Sequence, residues 1–273
     1  QEVYNVVNEI GESATGELQS FQQYLDDATS KEQVNKALQS AMPQNARGIQ
    51  VNSINTLNNS VRTIEKRLGF VRIASLKPNQ TQKIRRKYKL ASTGISSGDK
   101  AMNKEIWGQV FGSSAKQSTS SEEGGFKSKS SGVAFGLDKK ISKNSRLGMA
   151  VSYANSTVKS AESLKRTEID TYQANLYYGK TFGKYFFDTI VGFAWNDYDS
   201  SRSIMGVSTL AKANYSGQSY ISKVRTGFHK NIGSGFSIIP EVSLNFVHNR
   251  NSDYSENEAG TASLDVQGSA TNF

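Results

Sequence analysis

Past about Met102 the chain changes its hydrophobic period. Val133, Phe135 and Leu137 alternate with Gly132, Ala134, Gly136 and Asp138, and Leu147, Met149, Val151 and Tyr153 alternate with Arg146, Gly148, Ala150 and Ser152. The same rhythm sets Tyr172 and Leu176 against Gln173 and Asn175, and Val191 and Phe193 against Gly192 and Ala194. It also sets Val224 against Arg225, and Val242 and Leu244 against Glu241 and Ser243. Period-two alternation in segment after segment predicts antiparallel β-strands, each with one apolar face.

Before Met102 the spacing is helical. Short helices are expected over 2–10 and 16–28, and a third is expected to start at Ser30 as N-cap and to end at the Met42-Pro43 step. A longer helix is expected over 46–68, where Ile54, Leu57, Val61, Ile64 and Leu68 step by three and four. The rest of its surface is Asn, Thr, Ser, Arg and Lys. A stripe that narrow beside an amide-rich face suits a polar, confined environment better than a conventional core.

The second face of the strands mixes Gly and Ala with single charges, while Tyr153, Tyr178, Trp195 and Phe228 mark the ends of the apolar rows. The connections alternate long and short: 112–127, 139–145, 155–167, 181–184, 196–219, 230–235 and 248–263. Both features fit a transmembrane β-barrel with lipid outside, a polar filled lumen and aromatic girdles. The residues expected to face lipid are Val133, Phe135, Leu137, Leu147, Met149, Val151, Tyr172, Leu176, Val191, Phe193, Val224, Val242 and Leu244. Alternation alone does not say which face is buried, so a soluble lipocalin-like or sandwich fold stays open.

Composition narrows the chemistry. The chain has no Cys and only His229 and His248, which excludes thiolate zinc sites, disulfides and Cys nucleophiles and leaves histidine triads and metal clusters poorly supported. No enzyme, cofactor or metal is expected. The formal charge is +9, and between 69 and 100 eight basic residues face one acid, Asp99. That stretch, broken by Pro78 and followed by Ser and Gly, reads as a solvated linker; anionic lipid headgroups are the alternative partner, and nucleic acid is not expected as one. No run of about 18 apolar residues exists, so no membrane helix is expected. The opening QEVYNVVNEIGES lacks the pattern of a signal peptide.

The helix opening ALQSAMPQNARG, with its Ala-Leu-x-x-x-x-Pro spacing to Pro43, the polar helix LNNSVRTIEKRL and the strand WGQVFGS from Trp107 carry a resemblance. Together they resemble the C-terminal translocator domain of autotransporters of Gram-negative bacteria, and the wording of the strands is most similar to the surface cell antigens of rickettsiae. The resemblance covers roughly 31–273. It implies an all-β, up-and-down barrel of 12 strands in the outer membrane, at the cell surface, with a helix threaded through the lumen. It further implies that the barrel carries its own upstream passenger outward, with lipid, the passenger and the barrel assembly machinery as partners. A porin-like or structural barrel and a soluble basic β-rich module are the alternatives.

The resemblance divides the chain into a helical linker from the passenger (1–45), a pore helix (46–68), a basic linker (69–103) and a barrel (104–273). Seven complete strands and the start of an eighth at 264–273 can be placed. Counting back by twos from Phe273 gives the polar Thr271, Ser269, Gln267 and Asp265, unlike the apolar terminal strand of the family, so the chain is expected to be cut. An eight-stranded barrel would be too narrow to hold the helix, and open edges in lipid are costly.

Arg62, Lys66 and Arg67 sit near the C-terminal end of the pore helix, where cations complement the helix dipole. The lumenal face carries Glu105, Asp138, Asp188 and Glu241 as candidate partners, each with ordinary solvation as the alternative. Some autotransporters cleave themselves between two adjacent Asn of the pore helix. The resemblance makes Asn58 and Asn59 candidates for that single self-processing event, against a plain polar helix.

Overall fold

The computed structural model describes residues 14–43, 46–74, 96–97, 104–119, 124–162, 164–233 and 236–273. The helix expected over 2–10 lies outside them, as does most of the basic linker. Three helices come first: α1 (Glu17–Asp26), α2 (Lys31–Ala41) and α3 (Ala46–Ala74). Ser30 caps α2, its hydroxyl accepting from the Gln33 amide at 3.2 Å, while the Gln33 side chain accepts from the Thr29 amide at 2.9 Å. The first bond satisfies an amide the first turn leaves orphaned, and the second ties the residue ahead of the cap to the same glutamine. The helix stops at Met42, which is extended before Pro43, because the ring of a proline disfavours helical geometry in the preceding residue.

The strands are β1 (Ser96–Ser97), β2 (Lys104–Gln117), β3 (Phe126–Ser142), β4 (Ser145–Ser160), β5 (Lys165–Phe182), β6 (Tyr185–Ser203), β7 (Leu210–Phe228), β8 (Lys230–Gly233), β9 (Phe236–Ile238), β10 (Glu241–Asn251), β11 (Tyr254–Ser255), β12 (Asp265–Val266) and β13 (Ala270–Asn272). One antiparallel sheet of nine runs β1-β2-β3-β4-β5-β6-β7-β10-β13, with each long strand beside its sequence neighbour. β8 and β9 form a separate hairpin, and β11 pairs with β12. Seven strands are long (β2 to β7 and β10). The segment expected to open an eighth strand at 264–273 instead makes two pieces, β12 on β11 and β13 on the far end of β10. Among the described residues the sheet is open, where the resemblance implied a closed ring of 12.

The long strands overrun their apolar rows. β6 and β7 have 19 residues each, against about 9–11 needed to cross a bilayer core. The connections therefore shrink to 118–125, 161–164 and 204–209 at one end, the loop end, and to 143–144 and 183–184 at the other, the turn end. As far as β7 the long-short alternation holds, with each long connection shorter than expected. Beyond it the pattern fails, because the connection expected to be short over 230–235 spans 229–240 and holds the β8–β9 hairpin, and the one expected over 248–263 spans 252–269.

Burial alternates along every central strand, as in β4 and β5. All 13 residues expected to face lipid lie on the convex, exposed face, from Val224 at 36% exposure to Leu244 at 78%. Cross-strand aromatic pairs bound that face, Tyr153 on Tyr172 and Phe193 on Tyr220 toward the loops and Tyr185 on Phe228 toward the turns. The concave face is lined by Trp107, Ala134, Ala150, Tyr177, Ala194 and Ile221, and α3 lies in it.

Candidate functional site

The groove exists because the concave face is built from small side chains wherever the helix or a large ring must pass. A Cβ on Gly148 would stand 2.3 Å from Cζ of Tyr177, so glycine there lets the ring lie flat against β4. Leu57, Val61, Ile64 and Leu68 of α3 pack on this floor. The buried flanks of the helix are polar. Ser60 meets the Ser152 hydroxyl at 2.8 Å and Thr56 meets that of Ser156 at 3.4 Å, and Asn52, Ser53, Asn59 and Thr63 are buried beside them. A helix seated through hydroxyl and amide contacts has no continuous apolar seal along its length.

Direction follows from the contacts. Gly48 and Ile49 sit against Phe126 and Val158 near the loop end, and Leu68 reaches Gly179 near the turn end. At 29 residues the helix is about 43 Å long, enough to run the full depth of a bilayer. It continues past the expected end at Leu68 to Ala74, so the basic linker begins as helix.

Two ionic clusters fix the turn end. In the first, Asp138 is 1% exposed and Arg67 is 4% exposed. Arg67 donates from Nε to Asp138 at 2.8 Å and from Nη2 to Glu105. Arg146 donates to both acids, at 3.1 Å to Glu105, and the Tyr177 hydroxyl donates to Asp138 at 3.0 Å while accepting from Trp107 Nε1 at 2.8 Å. In the second, Asp188 takes Arg72 at 2.5 Å and Arg225 at 2.7 Å, and Arg225 also reaches Glu241 at 3.3 Å. Arg72 lies 3.9 Å over the Phe186 ring. Each cluster holds two cations and two carboxylates, so neither leaves net charge in the groove. Lys223 and Glu65 add a third contact between sheet and helix at 2.7 Å.

Of the residues singled out from sequence, Arg67, Glu105 and Asp138 are thus brought together, and Asp188 meets Glu241 only through Arg225. Arg62 and Lys66 stand apart from the clusters: both are exposed, on the side of α3 turned away from the sheet. The helix partner of Asp188 is instead Arg72, hidden from sequence reasoning because the helix was expected to end before it. Arg146, Arg225 and Glu65 were also missed. Arg146 and Arg225 sit at lumenal positions of the alternation, and that parity was the available signal. The Asn58 side chain accepts from Asn245 Nδ2 at 3.0 Å across the groove, and Asn59 is 8% exposed.

α1 and α2 dock at the loop end, against β6, β7 and the segment after β11. Phe21 and Ala37 pack on Ile204, Ala211 and Ala259. Arg202, fully buried, pairs with Glu256 through Nε at 3.0 Å and donates to the carbonyls of Ser40 at 3.2 Å and Ala41 at 3.0 Å, which are free acceptors at the end of α2. Thr261 donates its amide to Glu17 at 3.2 Å, and the backbone amides of Glu17 and Thr261 hold the Glu17 carboxyl below the usual carboxylate range. No group of three or more His, Cys, Asp and Glu placed to hold a metal occurs among the described residues.

Residues 106–272 match the family described as the Autotransporter beta-domain. Outer membrane protein B of Rickettsia japonica is 23% identical over 185 residues, which cover 63% of this chain and 11% of that protein. The extracellular serine protease of Serratia marcescens is 26% identical over 167 residues, 60% of this chain and 16% of that protein. The chain therefore spans a small part of the length of these curated relatives. Among solved structures, the translocator domain of autotransporter NalP from Neisseria meningitidis aligns with a TM-score of 0.55 at 12% identity, covering 73% of this chain and 66% of that one. That likeness is one of fold.

Proposed function

We propose, because this chain belongs to the Autotransporter beta-domain family, that it is the translocator part of a larger protein of the bacterial outer membrane and that it brings its own N-terminal passenger to the cell surface. One observation carries the reading: α3 runs through the concave face from the loop end to the turn end, with the chain before it already at the loop end. A passenger joined ahead of α1 would stand on the loop side, outside the cell, while α3 fills the path it took. The convex apolar face would meet lipid, and the barrel assembly machinery would insert the closed barrel. The chemistry is transport and anchoring. The hydrogen bond from Asn245 engages the Asn58 carboxamide that self-cleavage would use, which supports Asn58 and Asn59 as polar packing of the helix.

Deleting 46–74 from the full-length protein tests the reading. Single-channel conductance of the purified barrel should rise, its thermal stability should fall, and the passenger should become inaccessible to protease added to whole cells. A porin-like barrel would keep the same conductance with and without the segment, and that outcome would remove the support for a translocator.

A further inference from the structure

The convex face carries a charge pattern above its apolar rows that the helix, the clusters and the transport reading leave unused. Register places Lys116 of β2 directly across from Lys127 of β3, Lys127 across from Lys159 of β4, and Lys159 across from Arg166 of β5. Four cations thus stand in one row over four strands, and Lys129 lies two residues below Lys127 on the same face. All five are exposed or half-exposed. Arg166 is engaged by Glu168 at 3.0 Å. Among the described residues Lys116, Lys127, Lys129 and Lys159 have no carboxylate partner, although like charges set directly opposite destabilise a sheet.

Their height selects the counter-charge. Lys129 stands four residues beyond Val133 and Lys159 six beyond Tyr153, where the apolar rows end. At about 3.3 Å per residue and a strand tilt near 40°, these are roughly 10 and 15 Å beyond the hydrocarbon. A phospholipid headgroup layer is only about 6 Å thick. An anion at that height must be carried on a taller head group.

We infer that this lysine row binds the phosphate groups of a phosphorylated glycolipid of the outer leaflet, one whose extended saccharide core carries phosphates roughly 10 to 15 Å above the acyl layer, higher than sugars joined directly to the acyl chains could place them. The inference rests on the membrane placement of the convex face. The neighbouring carboxylates Asp170, Asp197 and Asp199 on β5 and β6 limit the contact to the β2 to β4 side. Asp170 is held there by the hydroxyl of Tyr153 at 2.7 Å, and Asp197 by Trp195 Nε1 at 2.7 Å.

The test uses the full-length protein, folded and purified in detergent, and titrates it with lipopolysaccharide bearing a phosphorylated core, with lipid A lacking core sugars, with phosphatidylglycerol vesicles, with inorganic phosphate and with heparin. Changing Lys116, Lys127, Lys129 and Lys159 together to Gln should weaken binding of the phosphorylated core form by roughly 600-fold, since each of the four lysines at an anionic surface contributes about fivefold. The four Lys→Arg changes should restore it. The proposal fails if the Gln variant binds that form as tightly as the parent. It also fails if phosphatidylglycerol or lipid A binds equally well, if millimolar phosphate displaces the glycolipid, or if only heparin binding responds. Heat-modifiable migration on gels reports the folded barrel separately, so a failure here leaves the translocator reading standing.

Discussion

Asp138 receives Arg67, Arg146 and the Tyr177 hydroxyl in a nearly dry pocket, and the value of such a site depends on all its partners being present. Asp138→Ala leaves two guanidinium groups sharing Glu105 and should cost about 3 kcal/mol or more, the usual penalty for stranding a buried charge. Denaturant unfolding of the lipid-embedded protein measures this, and a loss near zero would mean that the cluster is solvated. On the other face, Val151→Arg should cost about 2–4 kcal/mol in a bilayer, because the residue sits mid-row facing outward. Ala150→Arg should instead act by crowding α3, since Ala150 is 4% exposed and faces the groove. Equal effects in detergent and in lipid at Val151 would argue against the facing. The parity of residues was legible because an apolar row beside a Gly, Ala and charge row leaves a two-residue signature. Pairing was not: Arg146 meets Glu105 only through the register of three strands, and a single sequence carries no register.

At the scale of elements, the sequence reading depended on contrast between faces. β3 and β4 were legible over Val133 to Leu137 and Leu147 to Tyr153 but not over their loop-side ends, where Lys, Asn and Thr replace the apolar row on the convex face, Ser dilutes the buried one, and the ladder of hydrogen bonds continues without a clear hydrophobic period. The overrun of α3 was hidden for a related reason, since Gly69 and Phe70 break the stripe without breaking the helix. The docking of α1 was invisible because it depends on loop backbone. Gly260 has φ near 50°, and a Cβ there would stand 2.0 Å from Glu17 Oε2, so Gly260→Ala should release α1 from the loop end. Acid should do the same. The Glu17 carboxyl lies below its ordinary value of 4.5, so its contribution to docking is complete above that pH and is lost as pH falls through the lowered value. Amide exchange across 17–26 should accelerate in that range, and Glu17→Gln should abolish the acid step. An acid step that persists in the Gln variant would assign it to another group.

For the whole molecule, the balance of buried charge links the fold to what a filled pore conducts. Arg67 and Arg146 face Glu105 and Asp138, and Arg72 and Arg225 face Asp188 and Glu241, so both clusters are neutral only while α3 is seated. The helix supplies one cation to each and the sheet supplies the rest. Replacing Arg67 and Arg72 together with Gln removes both helix cations while leaving its apolar stripe on the groove floor. In the full-length barrel this should leave two excess carboxylate charges at the turn end, loosen that end of the plug and favour cations in the residual current. The reversal potential across a salt gradient should shift toward the cation equilibrium, with flickering openings that grow as ionic strength falls and screening weakens. Changing the exposed Arg62 and Lys66 to Gln removes the same formal charge from the opposite side of the helix and should shift selectivity far less. Equal shifts from the two pairs would show that current responds to net charge on α3 and not to the two clusters that fasten it.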